Sequence, residues 1–207
     1  MVEMQRLKKK HFKSIMNRNQ ILSLDSSNFE DENWKMAIKY FEDRFNRRYF
    51  DQLDILINHK DLKIKYNCGF LVTTIDCILI ETIEQFYEGE DEIKLSNQSF
   101  FNFFSRNEKL NQLFENAKDA GIFLGIIRSG LVHQAMTKKS SLINVKKKDL
   151  VIEWIDVKNK KQGFEINRTN FHNCVIEEYK KYLEILNSGK EIELLNRFKR
   201  KLLYIVS

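Results

Sequence analysis

The sequence predicts a mainly α-helical fold, and three observations support this class. Proline is absent from all 207 residues, so the residue that most often interrupts a helix is missing. Long segments place apolar residues three and four positions apart, which is the spacing of one buried helix face. Sixteen phenylalanines supply bulky side chains for one core. We expect a basic N-terminal arm over residues 1–30 and a single helical domain over residues 31–207.

The first long helix is predicted from about Asp31 to Asn58. Its apolar face is formed by seven positions at helical spacing: Trp34, Ile38, Phe41, Phe45, Tyr49, Leu53 and Leu56. Three arginines, Arg44, Arg47 and Arg48, line the polar side. These arginines form either a solvated helix face or a contact surface for RNA.

A second helix is predicted from about Phe70 to Tyr87, with its end near Gly89. It is apolar around much of its circumference, so it should be the central helix. At about 100° per residue, Asp76 falls on the apolar arc, whereas Glu81 and Glu84 point toward the other side. A carboxylate at the position of Asp76 needs a partner, because an unpaired buried charge is strongly unfavourable.

The connection that follows is charged and then rich in phenylalanine. Phe100, Phe101, Phe103 and Phe104 are expected to fill the core from a short helix, and a platform for stacking nucleic-acid bases is the alternative. A third helix is expected from about residue 110 to residue 134.

The pattern then changes to that of strands. Residues 142–168 read as a small β-hairpin, VIEWIDV followed by GFEINR, to which SLINV adds a third short strand. A helix over residues 171–186, capped by Thr169 or Asn170, is expected to end at Gly189. The last helix should run from Glu191 to about residue 205.

Composition narrows the functional classes. The formal net charge of +6 favours acidic partners, with nucleic acid first. The cysteines Cys68, Cys77 and Cys174 lack paired spacing, which indicates buried thiols in the reducing cytoplasm instead of disulfides or a zinc site. No segment resembles a membrane span or a secretory signal, so we expect a cytoplasmic protein. Glycine-rich phosphate loops and nucleophile elbows are also missing from the sequence, which argues against NTPase and acyl-transfer chemistry.

The hexapeptide Arg128–His133, with the sequence RSGLVH, is the strongest candidate for a chemical site. In a regular helix Arg128 and His133 lie about 140° apart, whereas Ser129 and His133 share a face. The segment offers a cation, a hydroxyl and an imidazole close together. Alternatively, Arg128 and His133 only interact with the last carbonyls and the dipole of the helix.

This combination suits metal-free cleavage of RNA. In that reaction the ribose 2′-hydroxyl attacks the adjacent phosphorus and the 5′-oxygen leaves. A histidine can take the 2′ proton or supply the proton to the leaving group near neutral pH. A guanidinium can stabilise the charge of the phosphorane with two parallel hydrogen bonds.

A stripe of small residues runs along the same helix. Gly121, Gly125 and Ser129 are spaced by four. Glycine inside a helix costs about 1 kcal/mol relative to alanine, so we expect a close neighbour there. It would be another helix, a large aromatic side chain or a second copy of the same helix.

The string Arg128-Ser129-Gly130-Leu131-Val132-His133 resembles the R-x4-6-H motif of the HEPN superfamily. The order of helices around the motif is similar as well. The resemblance implies a HEPN-like helical bundle, here with a small β-hairpin after the motif helix. It also implies a metal-independent endoribonuclease without a cofactor, of a toxin or antiviral defence type, in which two motifs meet in a homodimer. The family usually has Asn, Asp or His after the arginine, where this chain has Ser129.

The resemblance implies a role for each matched position. Arg128 would stabilise the phosphate, His133 would act as general acid or base, and Ser129 would orient them. To these we add Asp76 as a supporting residue that would hold Arg128 or His133, unless it belongs to an unrelated buried hydrogen bond. The other histidines, His11, His59 and His172, are expected at the surface or in local caps.

The expected partners are RNA, a second copy of the chain, and an antitoxin or another defence-system protein. Two further functions stay open. One is a non-catalytic HEPN module that binds RNA or nucleotides or serves as a scaffold. The other is a helical interaction protein in which the motif residues only cap a helix.

Overall fold

The computed structural model describes residues 16–90, 97–157 and 160–206. Within these ranges the chain is mainly α-helical with a small three-stranded sheet, as the sequence predicts. Residues 1–15 of the expected arm, with His11, lie outside the described residues. The second half of that arm packs onto the domain: helix α1 spans Arg18–Leu22, and Met16, Ile21 and Leu24 are buried.

The first long helix forms as predicted, but a π turn interrupts it. In chain order the segment comprises α2 (Glu32–Phe45), a π-helical turn (Asn46–Phe50), α3 (Asp51–Ile57) and the short α4 (Leu62–Asn67). The Asp31 carboxylate caps the start by accepting a hydrogen bond from the N–H of Asn33. The predicted apolar face is buried, except that Tyr49 and Leu56 are half-buried.

Helix α5 (Gly69–Glu88) is the central element, as its composition predicts. Its most extensive helix contacts are with α6 (Asn97–Arg106), α9 (Arg168–Ser188) and α10 (Ile192–Ile205). Cys68, Cys77 and Cys174 are buried in this region, as expected. A left-handed Gly89 ends α5, and a left-handed Gly189 ends α9.

Helix α6 brings the phenylalanine-rich segment into the core. Phe100, Phe103 and Phe104 are at most 1% exposed, and the Phe104 ring lies 5.2 Å from the ring of Phe123. Phe101 is half-buried against the same core. This confirms core packing and leaves the three buried rings unable to stack on bases.

The third predicted helix begins seven residues later than expected. The side chain of Asn116 accepts hydrogen bonds from the N–H groups of Lys118 and Asp119 and so fixes the start. From this cap the segment comprises α7 (Ala117–Phe123), a second π-helical turn (Leu124–Arg128) and α8 (Ser129–Gln134).

The predicted hairpin and third strand form one small sheet. Its strands are β1 (Leu142–Asn144), β2 (Ile152–Val157) and β3 (Lys160–Asn167), in the order β1-β3-β2. Strands β2 and β3 are antiparallel with Trp154 opposite Phe164, and β1 is parallel to β3. The cap of α9 is Asn167, whose side chain accepts from the N–H groups of Thr169 and Asn170, the two residues expected to be the cap.

Candidate functional site

The Arg128–His133 motif lies where a π turn passes into a short final helix. Arg128 is the last residue of the π turn, and His133 lies in the last turn of α8. A π turn accommodates one extra residue and is frequent at functional sites. The helix ends at Ala135, which is left-handed with a φ of 52°. The motif thus sits at the end of a helix, as its sequence predicts.

Gly130 allows the chain to fold back after α8. A Cβ atom on Gly130 would lie 2.5 Å from the carbonyl oxygen of Met136, which is too close for any side chain. The fold-back is held by a hydrogen bond from the Lys138 N–H to the carbonyl of Ile126. The glycine of the motif therefore has a structural reason, separate from any chemistry.

Glu81 of helix α5 holds the guanidinium of Arg128. The Nε of Arg128 donates to one carboxylate oxygen over 2.8 Å, and Nη2 donates to the other over 3.2 Å. The side chain of Arg128 is 14% exposed, and that of Glu81 is 9% exposed. Glu81 is itself buried against the motif helix, so the side of α5 away from Asp76 is also covered by protein. Sequence reasoning missed this contact, since the two partners are 47 positions apart.

His133 and Ser129 occupy the open side of the motif helix. His133 is exposed and Ser129 is half-buried, and α8 is regular, so the two residues share a helix face. In the part of the chain that the structure describes, neither side chain makes a hydrogen bond. The imidazole is therefore accessible to a ligand from solvent.

The small-residue stripe has two different surroundings. A Cβ on Gly121 would lie 2.5 Å from the Asn97 side chain, so a close neighbour exists there, as expected. A Cβ on Gly125 would have no described atom within 4 Å. The stripe therefore faces open space at Gly125.

The structure places Asp76 away from the motif, in contact with His172. His172 Nδ1 and Asp76 Oδ1 form a hydrogen bond of 2.6 Å, and the two residues are 3% and 0% exposed. The expected support of Arg128 or His133 by Asp76 is corrected accordingly, because Glu81 supplies it for Arg128. The surface position expected for His172 is also wrong. His59 does lie in a local cap, where its Nδ1 accepts from the N–H of Asp61.

The surroundings of Asp76 raise its pKa. Complete burial disfavours the carboxylate, and the hydrogen bond and charge of His172 oppose that effect. Arg168, one helical turn before His172, is also buried and donates to the carbonyl of Lys65 over 3.1 Å. Arg168 thus joins α9 to the end of α4, and His172 joins α9 to the first half of α5.

A third carboxylate of α5, Glu84, is also buried. Glu84 is 1% exposed and forms an ion pair with Arg106 at the end of α6. The Arg106 guanidinium also lies 4.1 Å from the centre of the Tyr87 ring. Burial raises the pKa of Glu84 to about 7, although the charge of Arg106 acts against the shift.

Arg44, Arg47 and Arg48 are separate from the motif. Arg47 and Arg48 are exposed, Arg44 is half-buried, and the Arg47 guanidinium pairs with Asp43 at 3.3 Å. Helix α2, which contains Arg44, packs against α9, whereas the motif helix packs against α5. The pairing of Arg47 fits the simple alternative of a solvated helix face.

Two general properties of the described residues bear on the site. Among them, no group of three or more His, Cys, Asp or Glu side chains is arranged to hold a metal ion. None of the helices in the described ranges is long and apolar enough to cross a membrane.

Comparison of the chain with protein-family models, with curated proteins and with solved structures finds no match.

Proposed function

We propose that this protein is a metal-independent endoribonuclease of the HEPN type, of a defence or toxin kind and active in the cytoplasm. One observation carries the proposal. The arginine of the R-x4-6-H motif is held by a bidentate ion pair, and the histidine of the same motif is exposed in the next helical turn. Metal-free RNA cleavage uses a cation that stabilises the phosphorane and a histidine that transfers a proton, and this motif supplies one of each.

In the proposed reaction the ribose 2′-oxygen attacks the adjacent phosphorus and the bond to the 5′-oxygen breaks. A base takes the 2′ proton, and an acid gives a proton to the 5′-oxygen. Arg128 stabilises the negative charge on the phosphorane, and His133 carries out one of the proton transfers. Ser129, on the same face as His133, orients the phosphate or the imidazole. The products are a 2′,3′-cyclic phosphate and a free 5′-hydroxyl.

The two proton transfers support a homodimer. One chain offers a single motif histidine, whereas the reaction uses both a base and an acid. We propose that the second histidine is that of another copy, across a twofold axis. The face beside Arg128 is open at Gly125, and Ile122 and Val132 on the same helix are 37% and 41% exposed. An open face with exposed apolar side chains fits the approach of a second copy.

The test is RNA cleavage in EDTA by the full chain. Wild type should cleave tRNA, rRNA or mRNA pools and leave 2′,3′-cyclic phosphate ends. His133→Ala should abolish cleavage, and His59→Ala, a matched histidine outside the motif, should retain it. If purified wild type cleaves none of the pools, or if His133→Ala cleaves as well as wild type, the proposal is wrong.

The contact surface for RNA is proposed to extend to Arg44, Arg47 and Arg48. Replacing the exposed Arg48 by alanine should weaken RNA binding and reduce its salt dependence, because one phosphate contact is lost. Unchanged binding would leave these arginines as a solvated helix face.

A second candidate function is a non-catalytic HEPN module that binds RNA or nucleotides or serves as a scaffold for a defence assembly or an antitoxin. The observation that favours it is the ion pair itself, because Glu81 balances the charge of Arg128. For this function RNA binding should survive His133→Ala while no product forms with any variant, wild type included.

A further inference from the structure

The burial of Glu81 on the central helix requires a reason. Glu81 is 7% exposed, although its neighbours Ile80 and Ile83 show that apolar side chains suit this part of α5. A buried carboxylate is unfavourable unless it is paired and hydrogen-bonded. Both oxygens of Glu81 are used for one partner, the guanidinium of Arg128. The carboxylate is thus dedicated to fixing this arginine.

Glu81 binds only one edge of the Arg128 guanidinium, and this determines which N–H donors of Arg128 are left to bind a second anion. A guanidinium has five N–H donors, and it can bind an anion through its Nε edge or through the edge formed by its two terminal nitrogens. Glu81 takes the Nε edge, through Nε and Nη2. Among the described residues, no hydrogen bond uses Nη1. The terminal edge therefore stays available for two oxygens of one phosphate group.

We propose that Glu81 is a positioning residue, which fixes Arg128 so that its terminal edge faces the phosphodiester of the substrate. This inference rests on the proposed ribonuclease function. Donors that are already oriented need no reorganisation when charge develops on the phosphorane. Without Glu81, the long arginine side chain would sample many rotamers, and only a fraction of them would direct the guanidinium at the phosphate.

Glu81→Gln is the informative variant, because glutamine has the same shape but cannot accept from both N–H groups of the fork. Glu84→Gln is the matched control: Glu84 is buried one turn further along the same helix and pairs with Arg106 instead of Arg128. Each variant exchanges a buried carboxylate of α5 for an amide. A difference between them in catalysis therefore reports on Arg128 and not on packing.

The experiment measures kcat, KM and Tm for cleavage of one RNA in EDTA. Glu81→Gln should lower kcat on the order of 100-fold, as expected when a reacting geometry is lost, with little change in KM. Glu84→Gln should keep kcat close to that of wild type even if its Tm falls as far. The double variant Glu81→Gln with Arg128→Lys should be no slower than Arg128→Lys alone, because Glu81 acts through Arg128.

The outcomes separate the two proposals. If wild type cleaves RNA and Glu81→Gln keeps full kcat, or loses no more than Glu84→Gln, the positioning role is wrong and the ribonuclease stands. Additive losses in the double variant would also overturn it. If wild type cleaves no RNA at all, the ribonuclease proposal fails, and the role of Glu81 fails with it.

Discussion

Two carboxylates of helix α5, five residues apart, form hydrogen-bonded pairs with basic side chains in very different surroundings. Asp76 binds His172 in the core, where the two residues are 0% and 3% exposed. Glu81 binds Arg128 nearer the surface, where the two side chains are 9% and 14% exposed. Both pairs connect the central helix to another helix. Of these two pairs, only the second includes a residue of the motif, whose last helix also carries the exposed His133.

Under the proposed function, the two pairs have different roles, the first in the architecture and the second in the site. A pair that solvent and ligands cannot reach contributes by joining helices. In a pair near the surface, such as Glu81–Arg128, the carboxylate holds the arginine in place while the terminal edge of the guanidinium stays available. Substitutions in the core pair, Asp76–His172, and in the marginal pair, Glu81–Arg128, test this distinction.

The largest expected effect is on the core pair. Asp76→Ala should lower the free energy of unfolding by about 3–5 kcal/mol, because it leaves His172 buried without its partner. Urea denaturation followed by circular dichroism measures the loss. Asp51→Ala, at an exposed position of α3, is the control and should stay within about 0.5 kcal/mol of wild type. Retained stability together with lost RNA cleavage would instead place Asp76 in the site.

An intermediate effect is expected for Glu84 and should depend on pH. Its pKa is raised from 4.5 to about 7, so the native state binds the proton more tightly than the unfolded chain. The stabilisation from this proton is full below pH 4.5 and is lost as the pH rises through about 7. The advantage of wild type over Glu84→Gln in unfolding free energy should therefore shrink by roughly 3 kcal/mol across this window.

Urea denaturation of wild type and Glu84→Gln at half-unit steps between pH 4 and pH 8 measures this change. A stability difference that does not vary with pH would contradict the raised pKa. The same series on Glu81→Gln supplies the comparison with the marginal pair.

A smaller effect of opposite sign is expected for Gly125. Gly125→Ala should stabilise the isolated chain by up to about 1 kcal/mol, because alanine is the better helix former and the position is open. Gly121→Ala should gain less, since the Asn97 side chain must move. Thermal unfolding at low concentration compares the two variants. Analytical ultracentrifugation should show Gly125→Ala shifted toward monomer if the open face binds a second copy.

The smallest expected effect on stability is at His133. His133→Ala should change the unfolding free energy by less than about 0.5 kcal/mol, because the side chain is exposed and makes no hydrogen bond with a described residue. Differential scanning fluorimetry of the variant and wild type checks this. A large loss would show that His133 belongs to the packing of α8, and the interpretation as an accessible acid or base would then be wrong.

The spacing of apolar residues along the sequence was sufficient to predict most of the helices and strands. The periodicity of α2, α5, α9 and α10 was sufficient to predict them, and alternation was sufficient for the hairpin. The π turns were missed, although the sequence contains a sign of one. Phe41, Phe45, Tyr49 and Leu53 are spaced strictly by four, which would drift around a regular helix by about 40° at each step. An extra residue in the turn corrects that drift.

The site was predictable only in part, because its contacts join distant positions. The Arg128–His133 string is local, and its place at a helix end follows from the sequence. The partners of Asp76 and Arg128 depend on how whole helices pack, over separations of 96 and 47 residues. Helical phase alone placed Glu81 and Glu84 on the side of α5 away from the apolar arc and did not show that this side is buried as well. Their burial follows from the cations that α6 and the motif helix bring to them.

The π turn before Arg128 has a consequence for the evolution of the site. Relative to a regular α-helix, such a turn is a one-residue insertion, and each residue of a helix advances the face by about 100°. Because the wide turn absorbs the extra residue, the helix after it keeps the orientation that it would have without the insertion. Deleting one residue between Leu124 and Ile127 would therefore restore a regular α-helix and leave Arg128 in register with Glu81, whereas the same deletion in a regular helix would rotate Arg128 by about 100°. A single codon can thus be gained or lost at this turn while the arginine stays aligned.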